Sequence, residues 1–421
     1  MLTRSPRPQN NLPSAESLQA LDRLNAFLAA LLMGFGPFLA ACLADRGWMP
    51  ANIGLVLTAS GLAGLLLQAP AGDLIDMAKS KRALVAMGTA ALMFAASIFG
   101  VRSDFPSVFA AAVVQGMAGT VLGPGIAAIS LGLVGHDALA ERLGRNQRFA
   151  SIGGLAAAGL MGVIGYVLST RDIFFVTVAL GLPVLLALTK IRAADIHFGR
   201  SCGASNHDSP HPQRASRAIL FKDHRLLTFA ACLFLFQVAN ASMLPLIGEA
   251  LVQAQGRRSS LVISALVVVP QLLVAVLAPW VGRTANSWGR RPLLLIGLGV
   301  VPIRSALLAF TADPALLVLI QVLDGLTGAV LGVLTALVIA DITQGTGRFN
   351  LAQGLIGTLS GLGASLSTSV WGLVAERFGY MVGFLGVTTV GLTAVAVLSV
   401  FMPETNPSAP QRRPAVVGRS A

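Results

Sequence analysis

The chain has 421 residues, 55% of them hydrophobic and 11% charged, with a mean hydropathy of +0.75. A soluble globular protein carries about 25% charged residues, so this composition excludes an ordinary soluble enzyme or binding module and points to a membrane protein. The net charge of +12 would suit nucleic acid only if the basic residues shared one surface, and their distribution along the chain argues otherwise.

Crossing a bilayer core takes about 20 mostly apolar residues. Twelve such stretches follow one another at 24–44, 51–71, 83–101, 106–133, 149–169, 173–191, 226–250, 260–281, 292–312, 315–340, 351–374 and 381–402. They lack the period-2 alternation of barrel strands, so the expected class is an all-α membrane protein with twelve transmembrane helices. The opening MLTRSPRPQNNLPSAESLQA has no apolar core and does not read as a signal peptide.

With the N-terminus placed in the cytoplasm, twenty-three of the thirty Lys and Arg fall on the cytoplasmic side. Six fall outside (Arg46, Arg102, Arg171, Arg257, Arg258 and Arg377), and Arg304 lies inside a span. This is the positive-inside pattern. It predicts a multi-pass protein of a plasma (bacterial inner) membrane with both termini cytoplasmic, in contact with lipid and with no nucleic-acid partner.

The one long polar interior stretch, 193–224, divides the spans six and six. The predicted organisation is a cytoplasmic tail at 1–20, a six-helix bundle at 21–192, a cytoplasmic linker at 193–224, a second bundle at 225–403 and a tail at 404–421. Four of the five histidines lie in the linker (His197, His207, His211 and His224). Their spacing matches no ligand set, so the linker reads as a solvated spacer, with no metal and no cofactor expected. Cys42, Cys202 and Cys232 suggest neither a disulfide framework nor a metal site.

The two halves repeat each other. QGMAGTVLG at 115–123 returns as DGLTGAVLG at 324–332, with five of nine positions identical. Asn146, Gly153 and Gly159 return as Asn350, Gly357 and Gly363, and GDLIDMAKSKRAL (72–84) returns as GRTANSWGRRPLL (282–294). Pro37 has a counterpart in Pro245. Each copy has an even number of spans, so the copies share one orientation, which is one of the plans used by transporters. The shared pairs Gly119/Gly123 and Gly328/Gly332 read as small-xxx-small contacts for close helix packing.

The loops 72–84 and 282–294 carry a family resemblance that extends over essentially the whole chain. They resemble the Gly-x-Leu-x-Asp-x-x-Gly-Arg-Lys/Arg motif of the major facilitator superfamily, in the manner of bacterial twelve-span drug and metabolite transporters. Gly72, Leu74, Asp76 and Lys81 fit, while Lys79 and Ser80 depart from the motif. The second copy keeps Gly282, Gly289, Arg290 and Arg291, with Thr284 and Asn286 in place of Leu and Asp. The resemblance implies two pseudo-symmetric six-helix bundles around a central cavity lined by spans 1, 4, 7 and 10. It also implies a cytoplasmic gate or latch made by Gly72, Asp76, Lys81, Arg82, Gly282, Gly289, Arg290 and Arg291. Many proton-coupled exporters of the family have an Arg in span 4 where this chain has Ala112, with Gln321 as its counterpart, and a Gly-Pro in span 5 that is missing here.

Charge inside a membrane is costly and marks function. Asp324 lies about nine residues from the outer end of span 10, roughly 14 Å deep at 1.5 Å per residue. Arg304 reaches nearly the same depth in span 9, so an ion pair is expected, either as a brace or as a proton-coupling site. Gln115, Gln237, Asn240 and Gln321 are the candidates for substrate contact. Gly34, Gly36 and Pro37 would loosen span 1. Near the cytoplasmic face, Asp341 with Arg348, and Asp22 with Arg145 or Arg148, could form salt bridges.

The expected function is secondary active transport of a small-molecule substrate by a monomer, with protons as coupling ion and export of a drug or metabolite as the direction. Uptake of an organic anion, with Arg304 as the anion contact, is the alternative within transport, and a sensor without flux is the alternative class. No Walker or H-E-x-x-H motif occurs, so an enzyme is not expected.

Overall fold

The computed structural model describes residues 13–204, 215–255 and 259–406. Most of the N-terminal tail, the linker centre with His207 and His211, the pair Arg257 and Arg258, and the C-terminal tail beyond Asn406 lie outside the described residues. The first bundle contains α1 (Ala15–Met33), α2 (Gly36–Asp45), α3 (Pro50–Met77), α4 (Lys81–Val101), α5 (Phe105–Val134), α6 (Leu139–Val167) and α7 (Asp172–Lys190). Between the bundles lie the short α8 (Phe198–Ser201) and α9 (Ala218–Lys222). The second bundle contains α10 (His224–Asn240), α11 (Met243–Gln255), α12 (Ser259–Trp288), α13 (Arg290–Ala309), α14 (Pro314–Thr343), α15 (Phe349–Phe378) and α16 (Tyr380–Phe401).

Among the described residues, eleven spans are long and apolar enough to cross a membrane. The remaining one, α15, is 30 residues long but rich in Gly, Ser and Thr, because it faces another helix rather than lipid over much of its length. Large apolar side chains such as Met87, Leu186, Val276, Leu319 and Val400 stay exposed around the bundles, where a bilayer would cover them.

The repeat is visible in the helix ends. Asp104 caps α5 by accepting from Ser107 N at 3.1 Å, and Asp313 caps α14 through Ala315 N and Leu316 N at 2.9 and 3.0 Å. In each case a Pro stands in the first turn, where its missing N–H costs nothing. Spans 1 and 7 both break, at Gly34–Phe35 between α1 and α2 and at Ala241–Ser242 between α10 and α11.

One end of the molecule carries Lys79, Lys81, Arg142, Arg145, Arg290 and Arg291, and it is called the basic end here. There a single buried cluster mixes both bundles, with Leu139 and Leu143 of α6 beside Ala278 and Val281 of α12. The other large clusters stay within one bundle each, around Phe99 and Phe174 in the first and around Met243 and Phe384 in the second. The bundles therefore converge at the basic end.

Glycines permit the closest approaches. A Cβ on Gly153 of α6 would stand 2.0 Å from the carbonyl oxygen of Ala26 in α1, whereas one on Gly159 would meet nothing within 4 Å. Gly153→Ala should therefore cost about 1–3 kcal/mol through overpacking. It should lower the melting temperature of the purified protein in detergent, while Gly159→Ala leaves it within the scatter of the wild type. Equal melting temperatures would mean that α1 and α6 relax apart without penalty.

Candidate functional site

At the basic end, α3 of the first bundle meets the start of α15 in the second. The Asp76 carboxylate, fully buried, accepts hydrogen bonds from Asn350 N (3.2 Å), Asn350 Nδ2 (2.8 Å) and Leu351 N (2.9 Å). The first N–H groups of a helix have no partner within it and carry the positive end of its dipole. A carboxylate from one bundle thus caps a helix of the other. Gly72 lets the backbones meet, since a Cβ there would lie 2.2 Å from the Asn350 carbonyl oxygen. Asp73 adds an ion pair with Arg348 (2.7 Å) and another with Arg217 (2.5 Å).

At the equivalent meeting of α12 with α6, no carboxylate caps the partner helix among the described residues. Gly282 there lies against the Ala140 carbonyl, where a Cβ would be 2.4 Å away, and Gly144 lies against that of Ala278 at 2.5 Å. Asn286, in the place of Asp76, accepts from Arg290 Nη1 at 3.2 Å instead.

Arg82, Arg290 and Arg291 direct their side chains to groups of their own bundles, and Lys81 also reaches the linker by donating to Cys202 Sγ at 3.3 Å. Lys81 Nζ donates to the carbonyls of Ile75 and Asp76 and so closes the end of α3, and Arg82 donates to the Ile191 carbonyl. Arg290 pairs with Asp341 at 2.9 Å, and Arg291 donates to the Ser399 carbonyl. Gly289 takes a positive φ of 93° at the start of α13, where Glu404 accepts from the backbone N–H of Arg290 and Arg291.

Of the salt bridges expected near this face, Asp22–Arg145 forms and Asp341–Arg348 does not. Asp341 pairs with Arg290 and with His136 of the first bundle (3.0 Å), not with Arg348, because Arg348 begins the helix that docks on α3 and so reaches Asp73. Asp22 pairs with Arg142 and Arg145, one turn or less apart on the face of α6 that packs against α1.

The linker is also not the free spacer that its composition suggests. Its described part runs between the bundles with Ser201, Cys202 and Ala204 buried. The carbonyls of Ser201, Cys202 and Gly203 accept from Asn350 Nδ2 (3.1 Å), Phe349 N (3.2 Å) and Gly345 N (2.7 Å). On the other side, His197 N donates to the Gly132 carbonyl at 3.1 Å, and Cys202 Sγ to that of Asp76 at 3.2 Å. Polar side chains misled here because the segment is held through its backbone.

Arg304 and Asp324 are brought together. Arg304 is buried, and its Nη1 donates to Asp324 Oδ1 while its Nη2 donates to Asn240 Oδ1 at 2.9 Å. Met243 Sδ lies 2.9 Å from Nη2 and 3.2 Å from Nε. Asn240 ends α10 and Met243 begins α11, so the guanidinium holds both sides of the break in span 7. The Asp324 side chain remains 32% exposed, against 3% for Arg304.

A cavity of about 520 Å³ lies between the bundles, nearer the basic end. Asn25, Gln68, Gln147 and Gln353 line it, with Gly119 and Gly123 forming part of its wall. A Cβ on either glycine would meet nothing within 4 Å, so these residues leave open space and do not serve helix packing as expected. None of the four amides nominated from the sequence lines this cavity. Gln321 is buried and donates to the Leu266 carbonyl (3.4 Å), Asn240 holds Arg304, Gln115 has a buried oxygen, and Gln237 packs by Gly363. Gln68 could have been noticed as the lone amide in LLLQAP; Gln147 lies among arginines and reads as loop.

The sequence pattern of the Major Facilitator Superfamily matches residues 24–256 and 229–420. The chain belongs to this superfamily. An uncharacterized MFS-type transporter of Mycobacterium tuberculosis is 34% identical over 389 residues, covering 92% of this chain and 93% of the relative. The class B tetracycline resistance protein of Escherichia coli is 36% identical over 105 residues, about a quarter of either chain. The crystal structure of the human organic anion transporter MFSD10 superimposes with a TM-score of 0.71 at 14% identity, covering 91% of this transporter and 99% of that chain.

The buried Cys202 offers a reporter for the basic end of this transporter. Burial pushes its thiol above the ordinary value, with the nearby Lys81 acting in the opposite sense, so little reactive thiolate forms while the bundles are closed. Hydrogen bonds to a charged group contribute about 1.5–3 kcal/mol, and 1.4 kcal/mol is a factor of ten. With Cys42 and Cys232 replaced by alanine, Asp76→Ala should therefore speed maleimide modification of Cys202 in membranes about tenfold or more. Unchanged labelling would mean that other contacts alone keep this end shut.

Proposed function

We propose that this protein exports a small organic solute in exchange for protons, by alternating access between its two bundles. With the basic end cytoplasmic, as the positive-inside pattern implies, the described state is closed to the cytoplasm by Asp76, Gly72, Gly282 and the linker. The observation that carries proton coupling is the Arg304–Asp324 pair at the break of span 7. A largely buried carboxylate inside a membrane is favoured as an anion by its counter-charge. When rocking of the bundles draws Asp324 away from Arg304, the carboxylate takes a proton, and return of the guanidinium expels it. The likeness to a tetracycline resistance protein over a quarter of the chain supports a drug or metabolite as cargo and export as its direction. Uptake of an anion through Arg304 is the weaker reading, because Asp324, Asn240 and Met243 already engage that buried guanidinium.

Inverted membrane vesicles with an imposed pH gradient and a pH-sensitive dye test this. A panel of organic compounds is added to wild type and to Asp324→Asn. At least one compound should drive proton release from wild-type vesicles, and the response should fall at least tenfold in the variant. A variant that responds like wild type would make the ion pair a brace. Silence of the wild type towards every compound would remove the antiport reading.

A further inference from the structure

The cavity between the bundles has mainly apolar and glycine walls set with a few amides and hydroxyls. Its amides come from α1 (Asn25), α3 (Gln68), α6 (Asn146 and Gln147) and α15 (Gln353), of which Asn146 is engaged by Arg142 and Ser130, and no Asp, Glu, Lys, Arg or His lines it among the described residues. Two of these amides have side-chain atoms without a partner among the described residues. Gln147 makes no hydrogen bond among the described residues, and the Gln68 carbonyl oxygen is buried without a partner. Asn25 uses only its Nδ2, donating to the Leu21 carbonyl at 2.8 Å, and Gln353 only its Nε2, donating to Asn350 Oδ1 at 3.4 Å. The side-chain oxygens of both remain available, while Gln147 offers both donor and acceptor. The nearby Arg142 is turned elsewhere, towards Asp22 and Asn146 Oδ1 (2.7 Å).

We propose that this cavity binds an uncharged ring compound rich in hydroxyl and carbonyl groups. Amides donate and accept with equal ease, so they match alternating hydroxyls and carbonyls. They offer no counter-charge to an ion, whose burial without one is costly. The volume of about 520 Å³ suits a ligand of drug size. Gly119 and Gly123, one turn apart on α5, leave a side-chain-free strip against which a flat ring can lie. Gln68 and Gln147 of the first bundle rest against Gly357 and Gly332 of the second, where a Cβ would come within 2.8 Å of each glutamine. A ligand held by these amides therefore touches both bundles and senses their separation. The Asp324 carboxylate is set apart, seven residues or roughly 10 Å along α14 from Leu331 at the cavity wall, so cargo and proton occupy different places.

The inference rests on the reading of this chain as a transporter of a small organic solute. Its test is binding to the purified full-length protein in detergent, followed by thermal shift and by titration. The probes are uridine, the flavanone naringenin and the anthraquinone emodin held in its neutral form, against the permanent cation tetraphenylphosphonium and p-aminohippurate, an anion at neutral pH. At least one neutral probe should raise the melting temperature, and its affinity should drop about tenfold or more in Gln147→Leu and in Gly123→Leu. The glycine variant is expected to fold, because its new side chain enters open space. Binding is read in detergent without a proton gradient, so a failure of proton coupling in the vesicle assay leaves this result standing. Stabilisation by the charged probes alone, or by none of the five, overturns the proposal, as does neutral binding that is indifferent to both cavity variants.

Discussion

The arrangement of the whole molecule turns on a helix capped from outside its own bundle. An α-helix leaves its first N–H groups without partners, and in a water-poor interior each must find one. For α15 the partner is Asp76, a carboxylate that α3 brings across the boundary between the bundles. Separating the bundles uncaps α15 and strands a buried charge at the same moment, so the two losses coincide at one contact. The glycines at 72, 282, 144 and 354 then follow from geometry, because backbones must touch for the cap to reach. The linker completes the seam by accepting from Phe349 and Asn350 with its carbonyls.

This seam is unequal, although the halves are copies. The α3–α15 contact has a carboxylate, whereas the α6–α12 contact relies on close backbone packing with Asn286 turned to its own bundle. Helices α5 and α14 show the same divergence. Asp324 and Asp341 on α14 stand where α5 has Gln115 and Gly132. Within this pair of helices the carboxylates stand on α14 and the open space on α5, where Gly119 and Gly123 widen the cavity. Duplication supplies two interchangeable scaffolds, and function needs them to differ.

Much of the architecture was legible in the sequence, because a bilayer imposes long apolar runs and a one-sided distribution of Lys and Arg that no packing detail can disguise. The Asp324–Arg304 pair was legible too, since two charges at equal depth in an apolar medium have few other places to go. The amides of the cavity were harder. A glutamine inside a helix looks the same whether it faces a neighbour, as Gln321 does, or a void, as Gln147 does; only the rotation of the helices separates them. Glycine spacing failed for a similar reason: a small-xxx-small pair permits close contact but does not require it, and Gly119 and Gly123 meet empty space. The linker misled because its anchoring groups are backbone carbonyls, which are the same in every sequence.

The transport reading requires that events at the cavity reach the ion pair, and α14 is built to carry them. It runs 30 residues from Pro314 to Thr343 with no proline after its first position. Asp324, the cavity wall at Leu331–Ile339 and the buried Asp341 at the basic end thus lie on one unbroken rod. Its counterpart α5 contains Pro124, which removes a backbone hydrogen bond at cavity depth. An unbroken rod cannot tilt at its wall without displacing both of its carboxylates. Arg304, held at the break of span 7 by Asn240 and Met243, is fixed to different helices. Motion of α14 against that fixed guanidinium is what would open and close the pair, with the cargo on one stretch of the helix and the proton on another.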